Sequence, residues 1–196
     1  HKPEPPVLKI LNVTQTSCVL EWEPLSLGSS QLKSLILYKQ GARSLVIPNP
    51  FKTTATKISG LSVDTEYEFQ LKLSTTSGQL WSEKIKVHTH KMTDMSGITV
   101  CVGPLDSLQG VTKNQIETSL SNIGAKALQD HVGLDTTHFI CNEKDSEDPE
   151  LEKAQNSNIP VVRPEWVRAC ELERRIVGVR GFYLDADPAN LESYRF

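Results

Sequence analysis

The stretch Asn158-Ile159-Pro160-Val161-Val162-Arg163-Pro164-Glu165-Trp166-Val167 restricts the fold of this chain more than any other. A β-branched run is stopped by a proline, so it can form only a brief strand. Pro164 then suits the first turn of a helix, where Glu165 is favoured by the helix dipole. Trp166, Val167 and Cys170 fall on one stripe of that helix. Upstream, residues 137–141 form a second β run. Residues 114–123 carry Ile116, Leu120 and Ile123 on one helical face, and Gly124 supplies the stop, because glycine enters the left-handed region freely. Residues 98–102 and 127–129 read as further strands. Strands alternating with helices predict a parallel sheet flanked by helices.

The first half has a different texture. Residues 8–13, 18–23, 35–40, 44–47, 54–58, 66–73 and 84–89 read as short strands separated by Gly, Pro, Ser and Asn clusters. The run from Tyr67 to Leu73 alternates apolar and polar residues, so one face packs and the other is wet. Cys18, Leu20 and Trp22 alternate in the same way, which puts Trp22 between two sheets. A β-sandwich is the architecture these strands predict. The expected organisation is therefore multidomain: an all-β sandwich over residues 1–90, a polar linker over 91–97, an α/β domain over 98–184 and a C-terminal extension over 185–196. A connector this short predicts a fixed relative orientation. In the extension, Asp187 and Pro188 read as the cap and first residue of a short helix, with Tyr183, Leu191, Tyr194 and Phe196 as apolar anchors.

Charge separates the halves as well. Residues 1–90 hold ten Lys and Arg against seven Asp and Glu, a net +3. Residues 91–196 hold eleven against seventeen, a net −6. An acidic domain repels phosphate backbones at long range, so nucleic acid is not an expected partner. Lys33, Lys39, Arg43, Lys52 and Lys57 suggest a basic face on the first domain that could sit near anionic lipid, although scattered lysines more often only solvate a surface. No apolar run approaches the ~20 residues that span a bilayer, and any membrane association is expected to be peripheral. The chain opens on His1 rather than Met, which suggests a fragment.

Cys18, Cys101, Cys141 and Cys170 are far apart and form no CxxC pair. Buried, reduced thiols and a reducing compartment follow as the expectation. His88 and His90 share a strand face, but without a third ligand they read as a solvated edge. No nucleophile elbow, phosphate-cradling loop or paired carboxylates appear, so neither an enzyme nor a cofactor is expected.

The early prolines, Trp22, Tyr38, Leu61 and Tyr67 together resemble a fibronectin type III domain, which implies a tyrosine corner in which the Tyr67 hydroxyl bonds back to upstream backbone. Gly124, the Ile159-to-Val162 run and Trp166 as core tryptophan resemble the BRCT family. BRCT domains that read phosphopeptides hold the anion with a Ser or Thr hydroxyl and the next glycine's amide after the first strand, plus a lysine opening the second helix. The matching positions here are Val102, Gly103 and, ten residues before Pro160, Glu150. Asp145, Glu147, Asp148 and Glu152 surround the last of these, so the resemblance implies a degenerate, non-functional phosphate pocket.

The pairing of the two modules resembles the fungal exomer scaffold family, associated with chitin biosynthesis. That resemblance implies a non-enzymatic coat-adaptor module on the cytoplasmic face of the trans-Golgi network. Its partner would be an Arf-family GTPase in the GTP-bound state, and its cargo would include chitin synthase. Tetratricopeptide-type cargo adaptors would assemble through an N-terminal segment this chain is expected to lack. The rival expectation is a phosphopeptide-binding adaptor in nuclear DNA-damage signalling.

Overall fold

The structure, a computed structural model, describes residues 1–143 and 147–196; Asp145 lies outside them. The chain forms two compact units, His1–His90 and Lys91–Phe196.

The first unit is an antiparallel sandwich. Strands β1 (Leu8–Val13), β2 (Cys18–Trp22) and β5 (Ala55–Ile58) make one sheet in the order β1-β2-β5. Strands β3 (Leu32–Lys39), β4 (Ala42–Val46), β6 (Glu66–Thr75) and β7 (Gly78–Trp81) make the other in the order β4-β3-β6-β7, and β8 (Ile85–His88) pairs with β6. The alternation in β6 sets its register: Phe69, Leu71 and Leu73 are fully buried against Leu20, Trp22, Leu35 and Leu37, while Glu68, Gln70 and Lys72 face outward.

Strand β7 was not among the seven expected from sequence. Thr75 opposes Gly78 across a two-residue Thr76-Ser77 loop, so β6 returns on itself at once. Ser82 then ends β7 by bonding Leu71 twice: its backbone N–H donates to Leu71 O, and its hydroxyl accepts from Leu71 N–H. The last strand is thereby split into β7 and β8. Four residues with one aliphatic side chain were too short a pattern to reveal the first piece.

The second unit is a parallel sheet in the order β11-β10-β9, from β9 (Val100–Val102), β10 (His138–Ile140) and β11 (Val161–Val162). Helix α1 (Lys113–Asn122) crosses from β9 to β10, α2 (Pro149–Asn156) from β10 to β11, and α3 (Glu165–Glu173) follows β11. Thr112 and Gln115 form a capping box at the start of α1. At its end Gly124 lies at φ +75°, Gly124 N–H bonds Ser121 O and Ala125 N–H bonds Leu120 O, a Schellman closure.

The strand expected over 127–129 shrinks to one bridge, Gln129 to Cys101. The Gln129 side chain is hydrogen-bonded to Asp135 and Thr136, which draws the chain into a loop after one residue of pairing. Residues 91–97, expected as a linker, fold into this unit. Met92 O accepts from Ile176 N–H and Met95 is buried in the core around Trp166. The tail does the same through a 3-10 helix (Pro188–Tyr194), capped by Asp187, that buries Leu191 in that core.

Candidate functional site

In the second unit, Val102 and Gly103 lie at the C-terminal end of β9 and Glu150 at the start of α2, the positions at which the resemblance implies a degenerate anion site. Val102 turns its side chain to the core around Trp166, so that position offers an apolar group and no hydroxyl. Gly103 donates its N–H to Ile140 O at 2.7 Å. A Cβ there would meet the Phe139 ring at 2.4 Å, so packing alone demands glycine. Beyond it, Pro104 O accepts from Asn142 N–H, and Asn142 Oδ1 accepts from Asp106 N–H at 2.6 Å.

Helix α2 presents no free N-terminus. The Asp148 carboxylate accepts from Glu150 N–H at 2.8 Å and Leu151 N–H at 3.2 Å, so the helix's own cap occupies amides that could otherwise hold a phosphate. Glu150, second in the helix, accepts from Val132 N–H at 2.6 Å, and its other oxygen meets His131 Nδ1 at 3.1 Å and Lys153 Nζ at 3.3 Å. The Val132 amide above all, then His131 and Lys153, pull its pKa down to about 2. Glu150 is therefore an anion at neutral pH. It also lies close enough to Cys101 for its charge, after burial, to help push that thiol up to about 11. The three positions thus combine an apolar side chain, a packed glycine and a hydrogen-bonded carboxylate.

The thiols are withdrawn from solvent. All four cysteines are free and buried. Burial is the main cause in each case, lifting Cys18 to about 12 and Cys141 and Cys170 to about 11. Among the described residues no three His, Cys, Asp or Glu gather as a metal site. His88 instead pairs with Asp64, Nε2 to Oδ1 at 2.7 Å. No helix among the described residues is long and apolar enough to cross a membrane.

The aromatic landmarks sit in the cores. Tyr67 accepts the Ser62 N–H at 2.8 Å, a tyrosine corner beside buried Leu61. Trp22 fills the sandwich core, while Trp166 is fully buried, stacks on His138 with ring centroids 3.8 Å apart, and donates Nε1–H to Val177 O at 2.7 Å. The basic face does not hold together: Lys39 and Arg43 belong to the β4-β3-β6-β7 sheet and Lys57 to the other.

Two arrangements escaped the sequence reading. Glu165, 2% exposed, meets Arg163 at 3.4 Å and Arg195 of the tail at 3.8 Å, so the C-terminus is tied to the start of α3 by a buried carboxylate. Nothing in the sequence joins positions thirty residues apart. On the outer face of the first unit, Lys72 lies over the rings of both Tyr38 and Trp81. The alternation of β6 could have placed Lys72 outside, but Trp81 belongs to the strand that was not recognised.

An antiparallel sandwich followed by a parallel three-stranded α/β fold with a central tryptophan defines a tandem of two domains of different fold class. Family models agree with that division: the fibronectin type III domain matches residues 1–89 and the BRCA1 C-terminal (BRCT) domain residues 90–171. Over its full length the chain is 70% identical to the chitin biosynthesis protein CHS5 of Saccharomyces cerevisiae. Across 93% of its length it is 46% identical to the cell fusion protein cfr1 of Schizosaccharomyces pombe. The chain is a homologue in this fungal CHS5/cfr1 family, and it spans about 30% of the length of either relative.

Proposed function

We propose that this chain is a non-enzymatic scaffold module of the exomer coat, binding an Arf-family GTPase in its GTP-bound state at the cytoplasmic face of the trans-Golgi network. There it supports export of cargo such as chitin synthase, together with tetratricopeptide-type adaptors that assemble through another part of the protein. The observation that carries this reading is the 70% identity, along the whole chain, to a chitin biosynthesis protein. Inert thiols and the fixed Glu150 carboxylate support a role in binding rather than catalysis or phosphopeptide reading. Membrane association is then indirect, through the recruited GTPase. Pull-down of Arf-type GTPase by this chain tests the reading. Selective capture of the GTP-loaded form is expected, and equal or absent capture of both forms would remove it. A preference for phosphoserine peptides in calorimetry would instead favour the nuclear adaptor.

A further inference from the structure

The wet face of an antiparallel sheet is normally polar. On the outer face of β4-β3-β6-β7 the register instead aligns Val46, Ile36, Lys72 and Trp81 in one row across all four strands. Residues directly opposite share a face at the inter-strand spacing of ~4.8 Å, so the row is roughly 14 Å wide. Tyr38 sits beside it, its ring edge-on to Trp81 with centroids 4.9 Å apart. Lys72 Nζ lies 6.0 Å from the Tyr38 centroid and 5.5 Å from that of Trp81, so the cation is fixed between two rings. Ile36 is only 5% exposed on this outward face, while Val46 is 55% and Trp81 40% exposed.

Charge selects the occupant. Arg43, opposite Tyr38, and Lys72 have no carboxylate partner among the described residues. The carboxylates on this face, Glu66 and Glu68, are already paired, with Lys86 at 3.8 Å and Lys84 at 3.9 Å respectively. A rigid aromatic and aliphatic platform with two uncompensated cations suits a ligand that is apolar and anionic together. From this charge complementarity we infer that the outer face of this sheet docks an acidic peptide segment carrying a bulky apolar side chain. The apolar group sits on Trp81 and Val46, and the carboxylates meet Lys72 and Arg43. This surface stands independently of the GTPase reading, since neither result determines the other.

Trp81 makes the test direct, because Trp22 and Trp166 are buried. The whole chain is titrated with a synthetic peptide of Glu, Asp and Leu bearing one Phe, and Trp81 emission and acrylamide quenching are followed. A blue shift with protection from quenching is expected. The same peptide with Lys in place of each acid should leave emission unchanged. Arg43→Glu, on an exposed edge strand, should weaken binding about tenfold, and Lys72→Gln by a similar factor. No shift with the acidic peptide, or an equal shift with the basic one, would overturn the inference. So would a response only to phosphatidylserine vesicles, which would mark the face as a lipid surface.

Discussion

Trp22 and Trp166 occupy the same role in two units and are held differently. Trp22 is 4% exposed and its Nε1–H has no hydrogen-bond partner among the described residues. Trp166 is fully buried, donates to Val177 O and stacks against His138. The sandwich uses its tryptophan as volume, whereas the α/β unit uses it also as a clamp on the segment after α3. A buried polar group left unpaired is costly, so the same side chain contributes more net stability in the second unit.

The largest effect should come from Trp166→Ala, which removes the biggest buried side chain together with the Val177 bond. A loss of about 3–5 kcal/mol is expected from denaturant unfolding. A loss no greater than that of Trp22→Ala would break the comparison. Gly103→Ala drives a methyl group into the Phe139 ring and should cost about 1–3 kcal/mol in the same assay. If it is neutral, glycine at that position is explained by something other than packing.

Phenylalanine at each tryptophan sharpens the contrast. Trp166→Phe orphans Val177 O, whereas Trp22→Phe deletes an unsatisfied donor. The first should therefore be the more destabilising by about 1–2 kcal/mol. In the sandwich, Tyr67→Phe removes the bond from Ser62 N–H and should cost about 1 kcal/mol.

The smallest effect concerns pH. Glu150 has its pKa lowered from 4.5 to about 2, chiefly by the Val132 amide. The stabilisation it supplies is complete above about 4.5 and disappears as pH falls towards about 2. Glu150→Gln should therefore narrow its stability gap to the native chain on acid titration by circular dichroism. A gap that stays constant between pH 5 and pH 2 would show that Glu150 is not held by Val132.

The anion-site positions show how far sequence reasoning reaches. That Val102 lacks a hydroxyl and Glu150 is a carboxylate is a matter of residue identity, so it was legible. That Asp148 occupies the amides of α2 and that Val132 fixes Glu150 depends on loops meeting in space, and no local pattern encodes those contacts. The same limit explains β7, whose four residues make sense only beside β6. It also explains the tail: its cap at Asp187 and its apolar anchor Leu191 were readable, but the core that Leu191 enters and the tie from Arg195 to Glu165 were not.

Periodicity, β-branching and the placement of Gly and Pro by themselves determined that a sandwich precedes an α/β unit, because these act between near neighbours in the chain. The tertiary structure alone decided which polar groups find partners. It closed the connector and the tail into the second core, and it placed Lys72 between Tyr38 and Trp81. Burial and pairing depend on groups that are distant in sequence, and only the folded chain brings them together.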